Sequence, residues 1–135
     1  MVVVRAVRAG GERGQAIIEL ALALSVLLIL TLGMVDVARI LHAYLTTTNA
    51  SREGARMAAL GYDDAEIFAA VQASIGTALE QANLVVTVSP GKDDRRRGEP
   101  VVVEVQVPVP VLFPVLGALV ADPLPVTSRT TMRME

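Results

Sequence analysis

An uninterrupted apolar stretch near the N-terminus constrains this chain more than any other feature. The run from Ala16 to Val35 has twenty residues and a single charged side chain, Glu19. A helix rises about 1.5 Å per residue, so this run would span roughly 30 Å, the thickness of a hydrocarbon core. A buried helix of so short a chain is rarely apolar on every face. We therefore predict a transmembrane helix.

A cleavable secretory signal is the alternative interpretation of this run. Such a signal has an apolar core of about 7–15 residues, followed by an A-x-A-like cleavage site. Here the apolar run is longer, and the residues that follow it, from Gly33 to Val37, do not form that pattern. We favour a membrane helix that is retained in the mature protein.

Charged residues flank the apolar run unequally. Residues 1–14 carry three arginines and one glutamate, whereas residues 36–55 carry two arginines balanced by two acidic residues. Because basic flanks remain on the cytoplasmic side, we expect a cytoplasmic N-terminus. The prediction is a single-pass protein of the cytoplasmic membrane with an extracytoplasmic C-terminal domain.

Glu19 lies near the entrance of the apolar run, where an acidic side chain is costly and usually functional. It is the fifth residue after Gly14, which ends a short basic leader. Cleavage after Gly14 would leave a free amine on Gln15, and this cation could pair with Glu19 of a neighbouring subunit in the bilayer. The alternative is a first-turn glutamate that favours the helix N-terminus and reaches toward the headgroups.

This order of leader, glycine, glutamate and apolar helix resembles the class III signal of type IV pilins and pseudopilins. In such a signal the cut precedes the apolar run, so the transmembrane helix survives processing. The resemblance implies a prepilin peptidase that cuts between Gly14 and Gln15.

The helical pattern continues beyond the apolar run. The segment from Asp36 to Leu60 has no proline, and its apolar residues recur at helical spacing. Ala50, Gly54 and Ala58 follow at intervals of four, so three small residues share one helix face. Such a face lets another backbone approach closely. We favour packing against this chain's own sheet, and the alternative is association with a neighbouring subunit's helix.

Two segments resemble the TadE-like family of the tight-adherence (Flp) pilus system. Residues 14–22 carry the family's G-x-A-x-x-E-x-A-L start, and residues 50–58 carry its A-x-R-E-G-A-R-x-A pattern. Leu20 stands where processed members often have tyrosine. The resemblance implies a bitopic minor pseudopilin or pilus-assembly component, whose partners are membrane lipid and pilin or pseudopilin subunits.

The remaining sequence predicts a small α+β domain. Gly61 suits a helix C-cap, and Asp63 or Asp64 can cap a second helix that ends near Asn83, with Leu79 in its apolar stripe. Strand patterns follow at residues 84–89, 101–107 and 126–135, with a charged loop between the first two. We expect the arginines of that loop, 95–97, to be solvated.

These patterns divide the chain into three parts. We expect a basic leader at residues 1–14, a transmembrane helix and its extension at 15–60, and an extracytoplasmic domain at 61–135. The domain would combine a helix with an antiparallel sheet of about three strands. Residues 109–120 are apolar but broken by prolines, and are too few to span a bilayer. We interpret them as a core-covering loop or short helix, or alternatively as a contact with a partner or the membrane surface.

Composition excludes several functional classes. The chain has no cysteine and one histidine, His42, which excludes thiolate and multi-histidine metal sites. The net charge of −2 and the absence of stacking aromatics among the arginines 95–97 argue against nucleic-acid binding. No phosphate-binding glycine loop and no nucleophile with a base are recognisable. We therefore expect no enzyme, no cofactor and no small-molecule substrate.

Together these features predict a non-enzymatic, membrane-anchored, pseudopilin-like protein. It would aid the assembly or initiation of a tight-adherence type IV pilus or a related secretion filament. The sequence is compatible with a subunit of the fibre and with a factor that only aids its assembly. The alternative is a membrane-tethered envelope binding module that uses the apolar 109–120 segment or the basic loop.

Overall fold

A computed structural model describes residues 9–76, 83–113, 117–118 and 120–135. The chain divides into two compact units, Met1–Val35 and Asp36–Glu135. In its described part the first unit consists of the N-terminal portion of one long helix, α1 (Ala9–Ala59). The second unit holds the remainder of α1, a second helix and three strands, which are α2 (Asp64–Ile75), β1 (Val85–Ser89), β2 (Pro100–Val109) and β3 (Leu124–Arg133). The predicted α+β class, with a long N-terminal helix and a small antiparallel sheet, is confirmed.

The three strands form one antiparallel sheet in the order β1-β2-β3. The register pairs Val103 of β2 with Val88 of β1 and with Thr130 of β3. Along β2 the side chains alternate as predicted. One face is buried (Val101, Val103, Val105, Val107) and the other is only partly covered (Val102, Glu104, Gln106).

The core of the second unit lies between its helices and the inner face of the sheet. It joins small residues of α1 to branched residues of α2 and β2, namely Ala50, Ala55, Ala58, Ala59, Ile67, Val71, Ile75 and the four inward valines. Residues 61–135 are too few to support more than a marginally stable core by themselves. The part of α1 that follows Val35 therefore completes the second unit, because its alanines pack against the sheet and α2.

Helix α1 ends in a Schellman motif. Gly61 N donates to Ala58 O at 3.0 Å, and Tyr62 N donates to Met57 O at 3.2 Å. Gly61 has φ +88, a left-handed conformation that favours glycine. The last helical carbonyl is also satisfied, since Glu135 N donates to Ala59 O at 3.1 Å. The predicted C-cap is confirmed.

Helix α2 begins with the predicted cap and ends earlier than predicted. Asp63 and Glu66 form a capping box, in which Glu66 accepts a hydrogen bond from Asp63 N at 3.0 Å. The helix stops at Ile75, well before Asn83, because Gly76 leaves the helical conformation with φ +73. Leu79, predicted to extend the apolar stripe, lies outside the described residues.

The predicted hairpin of β1 and β2 carries its charged tip on a short 3-10 turn, Lys92–Asp94. Here the expectation of three solvated arginines is wrong for one of them. Arg95 has a side chain only 2% exposed, and it donates to Pro90 O at 3.1 Å and to Tyr62 O at 3.0 Å. It also forms an ion pair with Asp64. Arg96 and Arg97 are exposed as predicted.

Candidate membrane span and assembly residues

The apolar run of α1 is uncovered within the described structure. No side chain between Gly14 and Val35 is buried, and Ile17, Leu22 and Leu28 are each more than 60% exposed. The helix is long and apolar enough to cross a membrane, by length and composition. So large an exposed apolar surface is unusual for a protein in water and indicates burial against lipid or protein.

The two hydroxyl groups within this run are satisfied by the helix itself. Ser25 Oγ donates to Ala21 O, and Thr31 Oγ1 donates to Leu27 O, both at 2.8 Å. A polar group in hydrocarbon must find its partner within the protein because water is absent there. The run therefore presents no unsatisfied hydroxyl to its surroundings.

The three residues of the predicted processing signal all lie within α1. Gly14, Gln15 and Glu19 are exposed, and among the described residues no side chain packs within 4 Å of the position that a Cβ on Gly14 would take. The helix begins at Ala9, upstream of the predicted cut. Cleavage after Gly14 and pairing of Glu19 both stay predictions.

The small-residue stripe lies inside the second unit. Ala50 and Ala58 are completely buried in the core. A Cβ on Gly54 would come within 2.7 Å of Val71 Cγ2 and 3.1 Å of Val103 Cγ1. The stripe thus packs on α2 and the sheet, which is the interpretation that we favoured. The chain's own core covers these three residues. Their association with a neighbouring subunit's helix stays a prediction.

The rest of the segment from 50 to 58 divides between the core and the surface. Ser51 is buried, and its Oγ lies 3.0 Å from Ser128 Oγ and 2.8 Å from Thr130 Oγ1, so it joins α1 to β3. Glu53 and Arg56 form a bidentate pair at the surface, with distances of 2.6 and 3.1 Å. Hydrogen bonding by Arg56 lowers the pKa of Glu53, so this pairing is present at neutral pH and is lost as the pH falls through the lowered pKa.

One polar cluster was not recognised from the sequence. Asp36, the first residue after the apolar run, is only 2% exposed, and its carboxylate accepts hydrogen bonds from Leu112 N at 3.1 Å and Phe113 N at 2.8 Å. Arg39 Nη1 lies 3.6 Å from that carboxylate and donates to Pro110 O at 3.1 Å. The sequence interpretation took Asp36 only as the end of the apolar run. The available signal was the pair of opposite charges three residues apart on a helix.

The described residues show no cluster with the composition of a metal site. Among them, no group of three His, Asp or Glu side chains could hold a metal ion. His42 is exposed on α1, as predicted for a surface histidine. The described residues therefore comprise a helix whose apolar N-terminal half is uncovered and a small packed α+β unit, which are the features of a protein with a candidate membrane span.

Comparison with known proteins gives one match. The family model described as "TadE-like protein" matches residues 14–56. This match confirms the TadE-like resemblance over that segment, which includes the predicted processing signal and most of the part of α1 that follows Val35. Neither the curated proteins nor the solved structures gave a match. The TadE-like family is associated with assembly of the tight-adherence pilus.

Proposed function

We propose that this protein is a membrane-anchored, pseudopilin-like component that aids assembly or initiation of a tight-adherence pilus. The observation that carries this proposal is the coincidence of two features in one helix. Residues 14–56 match the TadE-like family, and the same helix has an apolar half that nothing in the described structure covers. A structural, non-enzymatic role follows from the family's association with pili.

The proposed mechanism is lateral association of helices in the cytoplasmic membrane. Residues 16–35 hold the subunit in the bilayer, with the N-terminus in the cytoplasm and the second unit outside. Within the bilayer the carboxylate of Glu19 needs a partner, because an unpaired charge there is costly. A prepilin peptidase that cuts after Gly14 frees the amine of Gln15, and this cation pairs with Glu19 of a neighbouring subunit.

The second unit would present the outer surface that orders the subunits. Its helix α1 continues without a break from the apolar run, so association in the membrane and contacts outside it involve the same element. The alternative, a tethered envelope binding module, would use the second unit on a partner unrelated to pili. That alternative predicts that the full chain retains its partner in cells that lack the pilus system.

Processing is tested by mass spectrometry of the membrane-extracted chain. In cells with the matching peptidase we expect an N-terminus at Gln15, and in cells without it an intact leader. An intact leader in both would remove the peptidase from the mechanism but would leave the anchor in place.

The role of Glu19 is tested by Glu19→Gln, which keeps the size of the side chain and removes its charge. We expect normal membrane insertion and a loss of pili of at least about tenfold, the equivalent of ~1.4 kcal/mol in subunit pairing. The matched control is Glu99→Gln, which changes an exposed glutamate of the second unit. Piliation at the normal level in Glu19→Gln would exclude the charge pair.

A further inference from the structure

A loop of the second unit is tied to the residue at which the apolar run ends. Two backbone N–H groups, those of Leu112 and Phe113, donate to the buried carboxylate of Asp36 at 3.1 and 2.8 Å. A second acidic residue, Asp122, accepts from Val111 N at 3.2 Å. Residues 111–113, which we call the interfacial loop, therefore lie at the level of Asp36 along α1.

Asp36 also fixes the depth of this loop if α1 crosses a bilayer. It directly follows Val35, the last residue of the apolar run. The headgroup region adds roughly 5–8 Å to each side of the hydrocarbon core, which equals about three to five residues of helix. The groups bonded to the Asp36 side chain thus fall within the headgroup region.

Two apolar side chains at this level are uncovered. Leu112 is 63% exposed, and Val37 on α1 is 61% exposed. Val37 and Leu41 also line an open apolar groove beside β3. An exposed apolar patch is unfavourable in water but suits the boundary between headgroups and acyl chains.

A cation lies beside this patch. Arg39 is 37% exposed, and its guanidinium is held between Pro110 O and the Asp36 carboxylate. It follows Asp36 by three residues, or about 4.5 Å along the helix axis, which is headgroup depth. Arginine beside apolar side chains is the combination that binds the surface of an anionic membrane.

We propose that the interfacial loop, together with Val37 and Arg39, is a second membrane contact of this protein. Leu112 and Val37 insert among the headgroups, and Arg39 faces the lipid phosphates. The occupant of this surface is lipid, and not a second copy of the chain, because the Asp36 carboxylate ties the loop to the end of the apolar run. The proposal rests on the proposed anchoring of residues 16–35.

The lack of cysteine allows a clean labelling experiment on the full chain. Three single-cysteine variants are made at exposed leucines, Leu28→Cys in the apolar run, Leu112→Cys in the interfacial loop and Leu60→Cys at the far end of α1. Each is labelled with the environment-sensitive dye NBD and reconstituted into vesicles of phosphatidylcholine and phosphatidylglycerol. Quenching is measured with spin-labelled lipid and with aqueous iodide.

The expected result is lipid quenching at positions 28 and 112, with the shallow spin label most effective at 112, and iodide quenching at position 60. Lipid quenching at 28 combined with iodide quenching at 112 would overturn the second contact and leave the anchor intact. Iodide quenching at all three positions would overturn both. Protection of position 112 that disappears on dilution of the protein in lipid would assign the surface to a second copy and overturn the lipid contact.

Discussion

Gly54 shows how a single residue can decide the packing of α1. A methyl group at this position would approach Val71 Cγ2 to 2.7 Å, closer than carbon atoms pack, and Val103 Cγ1 to 3.1 Å, tighter than an ordinary van der Waals contact. Both neighbours are valines, whose branched side chains have little rotational freedom to move aside. Glycine at position 54 therefore sets the distance between α1, α2 and the sheet.

We predict that Gly54→Ala destabilises the second unit. Alanine gains about 1 kcal/mol of helix propensity over glycine, but overpacking of a core costs about 1–3 kcal/mol. The net loss should reach up to about 2 kcal/mol, measured by amide hydrogen exchange of β2 in the full chain in detergent micelles. The control is Gly91→Ala, where φ is −59 and a Cβ meets no atom within 4 Å. Equal exchange in the two variants would contradict the packing argument.

Asp36 illustrates a residue whose role depends on a distant part of the chain. Its position after an apolar run indicates only where that run stops. Its carboxylate, however, accepts hydrogen bonds from backbone groups 76 and 77 residues away. Hydrogen bonds to a charged group contribute about 1.5–3 kcal/mol, so this one side chain fixes the interfacial loop.

At the scale of elements, Arg95 joins the hairpin tip to the turn between α1 and α2. Its guanidinium reaches a carbonyl in its own hairpin, Pro90 O, and another in the interhelical turn, Tyr62 O, and it pairs with Asp64 at the start of α2. The planar fork of arginine suits several acceptors at once. Lys92 adds a weaker contact to the same helix start, 3.4 Å from Asp63 Oδ2.

The two arginines that follow Arg95 in the sequence provide controls for a test of the Arg95 contacts. We predict that Arg95→Ala lowers the free energy of unfolding by about 2–3 kcal/mol, because it removes charge-assisted hydrogen bonds from a covered site. Arg96→Ala and Arg97→Ala should change it by less than about 0.5 kcal/mol, since both side chains are exposed. Chemical denaturation of the full chain in micelles measures all three. Similar values for the three variants would show that Arg95 is not a structural link.

At the scale of the whole molecule, the chain combines an uncovered apolar helix with a packed α+β unit. Lipid could cover the apolar side chains of the helix without changing the α+β unit. The reason is that the core of this second unit is built from residues after Asp36. A core helix of a domain in water would instead show covered side chains, and none of the side chains at 14–35 is buried.

We predict that the full chain remains in the membrane pellet after alkaline carbonate treatment. The variant Leu27→Arg/Leu28→Arg should move it toward the soluble fraction, because each arginine at a helix centre costs about 2.5–3.5 kcal/mol of insertion. The same double change at Val85 and Thr87, on the outer face of β1, is the control and should leave fractionation unchanged. A wild-type chain in the soluble fraction would remove the anchor and the proposed function with it.

The sequence by itself determined the types and the order of the helices and strands, although it placed the end of α2 beyond Ile75. Three patterns depend only on residues that are close in the sequence, so they can be recognised without a structure. They are the length of the apolar run, the helical spacing beyond it and the alternation from Val101 to Val107. The small-residue stripe at 50, 54 and 58 predicted close packing but left two partners open. The TadE-like pattern identified the family segment from residue types alone.

Only the tertiary structure decided which distant groups meet. It showed that the small-residue stripe packs on the chain's own valines and that the side chain of Arg95 is covered. It also showed that the backbone N–H groups of residues 112 and 113 donate to the carboxylate of Asp36. Such contacts join residues far apart in the chain, and their geometry depends on how α1 lies on the sheet. Local patterns carry no information about that packing, because the same alternation and spacing would suit many registers between a helix and a sheet.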